Sequence, residues 1–457
     1  MIKRVFQKAT YLISALAVIS IVTFAFAQKN EAARSEQTYI AKLDVSPVMG
    51  NAIKNNLLIN DKKNISASLI DDLDKRIHAY PQDYEASLLK VFAYIEAGNI
   101  KTASILINDL IRKSPEFKLA HLVKGDLLAM QVKPIQGVGR NDILSSFVKA
   151  ELQLELSKLR DEVNIRLESY HQKSVQQKIP RSLLLMSESV KVAVLIDKSK
   201  NRLYVFQRQS DLLPPKLVKD FYVSTGKLRG NKLIKGDLKT PEGVYFVTSW
   251  IPDGRLPDKY GIGAFPVNYP NELDIRLGKT GYGIWLHGTT SDSYSRPPLD
   301  SEGCIVLPNI DLNAIKHLVT PGKTPMIIAE SIEWVDYATW SNFREDILVS
   351  LETWRSDWQS LNVDKYLDHY ADNFWSGGHN IRSWRARKKI VLRSKKYQTI
   401  KLDDISLFAY PDSAEQKNIV VARFHQSYQS NNYKSDMTKR MYLSKNKKGW
   451  KIIFEGR

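Results

Sequence analysis

The chain runs to 457 residues, too many for one ordinary domain and enough for two to four. Its 43% hydrophobic and 25% charged residues are those of folded protein, so long disordered tracts are not expected, and its single cysteine excludes a disulfide framework within the chain. A formal charge of +18 calls for anionic partners: nucleic acid inside a cell, or wall polymers, peptide carboxylates and lipid head groups outside it.

Residues 1–27 have the layout of a secretory signal peptide. Lys3 and Arg4 precede an apolar run from Ala9 to Ala27 that closes on Ala25, Phe26 and Ala27, so cleavage is expected before Gln28. The run is also long enough to remain as an inner-membrane anchor. Either outcome exports the rest to the periplasm or cell envelope, where nucleic acid drops out as a partner.

Residues 28–58 are polar and weakly patterned, and read as a tether. Residues 59–185 are expected to be helical and tetratricopeptide-like. Pro81 and Pro115 stand 34 positions apart, with Ala86 matching Ala120 and Leu88 matching Leu122. A plain helical bundle and a repeat-like docking module both fit that pattern. The run from Asn141 to His171, rich in Glu, Leu, Lys and Arg, reads as one amphipathic helix. It either packs on its own domain or pairs with a second copy or another protein.

At Val190 the period changes from helical to alternating, and residues 186–331 read as an all-β domain. After Glu330 a helical pattern returns, with Trp340, Leu348, Leu351, Trp354 and Trp358 spaced for one buried face. Strand-like runs then continue to the end, so residues 336–457 read as an α+β domain. A basic stretch in this region, including Arg382, Arg385, Arg387, Lys388 and Lys389, forms either a solvated face or a cleft for an acidic polymer.

The chemistry centres on Cys304. A thiol needs a base or a positive field to act as a nucleophile near neutral pH, and His287, 17 positions upstream, can serve as the base if the loop between them folds back. Gly303, directly before the sulfur, permits the sharp turn that presents consecutive N–H groups to an oxyanion. A lone cysteine can equally be an inert buried thiol. No His-Glu-x-x-His spacing, paired cysteines, Walker loop or dinucleotide fingerprint occurs, so neither a metal site nor a cofactor is expected.

Three motifs decide between those readings. "FYVSTGK", the segment "GDLKTPEGVYFVTS" from Gly236 to Ser249, and "GIWLHGTT…SEGCIVL" stand in the order seen in the L,D-transpeptidase catalytic domain, or YkuD family, which this region resembles. The resemblance implies a mainly β fold in which Cys304 attacks the carbonyl between the third residue of a peptidoglycan stem and the following D-alanine. It also implies that His287 is the general base and that the Gly288 carbonyl orients it. The N–H groups of Gly303 and Cys304 would form the oxyanion hole. Trp285, Thr289, Ser301 and Glu302 are expected to line the substrate site. D-alanine leaves and a thioester remains on Cys304.

The chain departs from the family pattern at two positions: Glu302 stands where histidine is usual, and Val306 where arginine or asparagine is usual. An anionic Glu302 opposes thiol ionisation, and Val306 removes the usual carboxylate contact.

The last region resembles the nuclear-transport-factor-two-like (SnoaL-like) class, which implies a cone-shaped pocket. The whole arrangement is similar to the cell-shape L,D-carboxypeptidases. The expected architecture is therefore multidomain: a helical N-terminal region, a YkuD-type β domain and an α+β cone. The expected activity is transfer of the acyl group to a neighbouring stem's amine. Hydrolysis to a tripeptide ranks second, and a wall-binding scaffold without catalysis third, the last resting on Glu302.

Overall fold

Two helix starts in the N-terminal region are set by short polar side chains. Asp83 accepts the Ala86 N–H at 2.8 Å and Asn99 that of Thr102 at 3.1 Å, each satisfying a donor that the first helical turn leaves open. A computed structural model describes residues 62–131, 138, 150–171, 178–411 and 418–456. The expected signal peptide and tether lie outside these. Among the described residues, no helix is long and apolar enough to cross a membrane.

Among the described residues, the N-terminal region contains five helices: α1 (Lys62–Ala79), α2 (Tyr84–Glu96), α3 (Ile100–Lys113), α4 (Lys118–Met130) and α5 (Ala150–His171). α2 packs on α3, α3 on α4, and α4 on α5. Leu88, Val91, Phe92, Ile107, Leu110, Ala120 and Val123 meet in one core, so the repeat-matched Ala120 and Leu88 are packing positions. The helix that the sequence offered to a second chain is used inside this one: Val163 joins the same core, and Glu162 and Arg166 are each 1% exposed.

Two short strands, β1 (Ile179–Pro180) and β2 (Leu183–Leu185), follow. They correct the expectation that helix extends to residue 185. A three-leucine run has no readable period, and its place is set by partners far along the chain.

The next domain contains β3 (Val192–Asp197), β4 (Arg202–Gln207), β5 (Lys216–Tyr222), β6 (Thr225–Gly226), β7 (Gly243–Phe246), β8 (Ile251–Pro252) and β9 (Gly263–Pro266). A short helix α6 (Glu272–Arg276) then leads to β10 (Trp285–His287), β11 (Leu299–Ser301), β12 (Ile305–Val306), helix α7 (Asn309–Ile315), β13 (Pro325–Ala329) and β14 (Trp334–Val335). One sheet has the order β5-β4-β3-β13-β7 and the second β12-β10-β9-β8. Between them pack Val194, Ile196, Val205, Tyr245, Phe265, Leu286, Ile305, Met326 and Ile328.

β3 is buried along its whole length because its faces serve two cores. Val194 and Ile196 point to the inter-sheet core, while Ala193 and Leu195 pack with Phe408, Tyr410, Val421 and Tyr442 of the C-terminal domain.

That domain contains α8 (Tyr337–Gln359), α9 (Val363–Asp368), β15 (Tyr370–Ser376), β16 (His379–Asn380), α10 (Ile381–Arg393), β17 (Gln398–Ala409), β18 (Ile419–Ser430), β19 (Lys434–Asn446) and β20 (Gly449–Gly456). Its sheet has the order β16-β15-β20-β19-β18-β17-β2. The edge strand β2 therefore comes from before the catalytic domain, and β1 pairs with β14 beyond it. These pairings clasp the two domains at both ends of the catalytic segment. Trp340, Ile347, Leu351, Trp354 and Trp358 turn one face of α8 into the core of the cone.

Candidate active site

Parallel pairing of β10 with β12 brings the two ends of the 17-residue interval together. The register sets Leu286 beside Ile305 and His287 beside Val306. Extended by one residue, it sets Cys304 beside Trp285. Alternation along a strand then puts Trp285, His287 and Cys304 on one face, while Leu286 and Ile305, both 0% exposed, point into the inter-sheet core.

His287 is oriented by its neighbour: Nδ1 lies 2.7 Å from the Gly288 carbonyl oxygen. A carbonyl only accepts, so Nδ1 carries the proton and Nε2 is left as the basic atom. Burial pulls the imidazole down to about 4, against the effect of the Gly288 bond and with help from Arg296 and Lys259. His287 is therefore neutral at pH 7. Tyr260 packs its ring edge-on to the imidazole at 5.0 Å and lies 4.9 Å from the Trp285 ring.

The half-buried Cys304 directs Sγ to the Gly283 carbonyl at 3.4 Å. Burial pushes the thiol up, while the Trp285 N–H, Lys259 and Arg296 favour the thiolate. Glu302 also raises it, as the smallest of these influences, and its side chain is exposed. The replacement of the usual histidine thus has the expected sign and a minor size.

Gly303 has φ +124°, a backbone region open to glycine, and an added Cβ would stand 2.7 Å from the Lys239 carbonyl oxygen. Its N–H donates to Ser301 Oγ at 3.1 Å, and that hydroxyl donates to the Cys304 carbonyl at 2.6 Å. Of the two N–H groups expected at the oxyanion, that of Gly303 is thus engaged within the turn. Among the described residues the Cys304 N–H makes no such bond, which leaves it to serve a developing charge.

Two further residues expected at the substrate site have their hydroxyls turned to the backbone. Thr289 is 1% exposed and its hydroxyl donates to the Tyr294 carbonyl at 3.3 Å; Ser301 is 3% exposed and clamps the nucleophile's turn. Both hydroxyls satisfy backbone groups that burial would otherwise strand. Trp285 and Glu302 stay beside the thiol.

Several neighbours carried no motif. Asn309, at the start of α7, donates to the Thr289 carbonyl at 2.9 Å and accepts the Ile262 N–H at 3.2 Å, wedged where a Gly288 Cβ would collide. It fixes the residue that aims His287. Its one legible signal is the polar residue closing "IVLPN". Among the described residues, no group of three or more His, Cys, Asp or Glu is placed to hold a metal ion.

Residues 191–328 match the L,D-transpeptidase catalytic domain, YkuD, and residues 346–456 match the Cds6 C-terminal NTF2-like domain. The chain is similar to Bd1075 of Bdellovibrio bacteriovorus, at 29% identity over 61% of this chain and 97% of that one, with a TM-score of 0.54. It is also similar to the helical cell shape determining protein Pgp2 from Campylobacter jejuni, at 28% identity over 61% of this chain and 95% of that one, TM-score 0.52. A point mutant of Pgp2 gives 26%, 63%, 97% and 0.53 for the same quantities. No curated protein matches the chain in sequence. The chain therefore carries a YkuD-type L,D-transpeptidase catalytic domain, preceded by a helical region and followed by an NTF2-like domain, and is by that domain an enzyme of the transpeptidase and carboxypeptidase type acting on peptidoglycan.

Proposed function

We propose that the chain is an exported L,D-carboxypeptidase that trims tetrapeptide stems to tripeptides through a thioester on Cys304. The observation that carries the reaction is the face shared by His287 and Cys304, with the imidazole held by Gly288 in the tautomer that leaves Nε2 basic. Sγ attacks the carbonyl of the third residue as its proton passes to Nε2. The C–N bond breaks, Nε2 returns the proton to the departing D-alanine amine, and the acyl group stays on sulfur. Water then attacks the thioester, giving a proton to Nε2 that restores the thiol.

Sequence alone put transfer ahead of hydrolysis; two observations favour the reverse order. Arg296 and Lys259 both act on His287 and Cys304 with positive charge, which disfavours an incoming ammonium acceptor and leaves neutral water unaffected. The chain is also similar, over 61% of its own length and 95% of that protein's, to one described as determining helical cell shape. Incubation with disaccharide-tetrapeptide is expected to give tripeptide and free D-alanine in equal amounts by mass spectrometry. Dimeric muropeptides with 3-to-3 links would restore the transferase reading.

The cone supplies a second contact with the wall. The outward face of α10 is solvated, with Arg382, Arg385, Arg387 and Lys389 exposed, but Lys388 turns inward. Its Nζ lies 4.3 Å from the Trp384 ring centre and 5.4 Å from that of Trp358. Burial lowers this ammonium to about 8, and Glu455, the nearest favourable charge, is paired with Lys439 at 2.8 Å. A cation desolvated between aromatic rings suits an anionic glycopeptide. Lys388→Ala is expected to lower retention on insoluble peptidoglycan by about tenfold; unchanged retention removes the cone from substrate capture.

A further inference from the structure

The segment between Gly288 and β11 is held from outside its own domain. Tyr294 is 4% exposed and sits in the core of the helical region, its ring 4.1 Å from that of Phe117 and 5.9 Å from that of Tyr84. Ser295 Oγ donates to Glu162 of α5 at 2.7 Å. Glu162 is fixed in turn by Arg166, at 3.0 and 2.7 Å, and the Arg166 guanidinium covers the Tyr222 ring at 3.9 Å. Tyr222 then donates its hydroxyl to the Arg296 carbonyl at 2.8 Å. Arg296 is thus flanked by anchors that all lead to the helices.

Its side chain makes one hydrogen bond and exerts a longer-range pull on the Asp300 carboxyl, which it lowers against burial. Nη2 donates to the Lys259 carbonyl at 3.2 Å, and among the described residues no carboxylate lies within ion-pair distance of the guanidinium. The Lys259 carbonyl is one residue from Tyr260, whose ring packs on His287, so the guanidinium borders the reacting face. On that face Val306, 2% exposed, has no polar atom to offer a substrate carboxylate.

We propose that Arg296 receives the free carboxylate of the stem peptide's terminal D-alanine, and that the helical region, through Tyr294 and Ser295, is the positioning element that holds it there. A guanidinium suits this task because its donors form a fork that matches a carboxylate. The helices act on the active site through this loop in that arrangement. The inference rests on the proposed cleavage of tetrapeptide stems but is testable apart from it.

The test compares a stem tetrapeptide acid with its D-alaninamide. For the full chain, kcat/KM is expected to favour the acid by about 10- to 100-fold, the range for charge-assisted hydrogen bonds. Arg296→Gln should bring this ratio toward one, and Arg296→Lys should restore part of it. Ser295→Ala, which removes one hydrogen bond and strands no charge, should narrow the ratio about threefold through KM for the acid. An unchanged ratio in Arg296→Gln overturns the carboxylate role, and a Ser295→Ala effect equal for both peptides overturns the positioning role. Calorimetry on Cys304→Ala protein separates this from the reaction itself. Tighter binding of acid than amide supports the inference even if the wild type releases no D-alanine, whereas equal binding overturns it even if turnover is observed.

Discussion

Cys304→Ala is expected to lower D-alanine release by about 10⁴-fold or more with no loss of fold, because removing a nucleophile leaves only binding and oxyanion stabilisation. The half-buried side chain meets only the Gly283 carbonyl, at 3.4 Å, and the Trp285 N–H among the described residues, and the strand pairing around it does not depend on either. The protonation states shape the rest of the result. With the imidazole at about 4 and the thiol above its usual value, the resting pair at pH 7 is neutral on both members. Cys304 therefore attacks as its proton leaves, and no standing thiolate is stored.

Alkylation by iodoacetamide at pH 7 should accordingly be slower than for free cysteine and should rise as the pH climbs through the thiol's range. The acid limb of kcat/KM should fall near pH 4, since an imidazole whose proton is lost at about 4 stays basic through pH 5 and 6. A thiol that ionises in the acid range, or activity already lost at pH 6, contradicts the neutral pair. Slow alkylation with no D-alanine release at any pH supports the non-catalytic scaffold.

What could be read from the chain without its fold was local. His287-Gly288 and Gly303-Cys304 are adjacent pairs whose chemistry needs no distant partner to be recognised, and apolar alternation marked most of the strands around them. Arg296, Lys259, Tyr260 and Asn309 were not legible, because their relation to the thiol arises where β10 meets β12 and where a loop packs on helices almost 200 residues earlier. The bonds of Thr289 and Ser301 were not legible for a related reason: a hydroxyl beside a nucleophile resembles a substrate contact until the backbone group it satisfies is known.

The same ambiguity left the packing of α5 open. Glu162 and Arg166 look like the polar stripe of an exposed amphipathic helix, and only the opposing charges of Glu85 and Arg202 show why they are buried. Patterning distinguishes charged from apolar residues; it does not distinguish a charge facing water from one facing its counter-charge.

Glu85→Ala is expected to be the most destabilising change in the helical region. Glu85 Oε1 accepts from Arg166 Nη1 at 2.8 Å and from Arg202 Nη1 at 2.7 Å, joining α5 to β4 across the interface with the catalytic domain. Arg166 keeps Glu162 and Arg202 keeps Asp220 when it is removed, but two buried guanidinium groups then share less negative charge in a site with little water. Breaking such a cluster costs roughly 3–5 kcal/mol, far more than an exposed pair. Burial opposes the charged form of Glu85, and Arg202 and Arg166 more than offset it, holding the carboxyl at about 2. Because this lies below the unfolded value, its contribution is complete above about pH 4.5 and is lost as the pH falls toward 2. In a multidomain chain the effect is best read locally. Amide hydrogen exchange should accelerate in α2 and α5 while β17 to β20 keep their protection, and wild-type protein taken to pH 3 should show part of the same pattern. Unchanged exchange in α2 and α5 would mean that apolar packing around Phe117 and Tyr294, and not this charge cluster, fastens the helices to the catalytic domain.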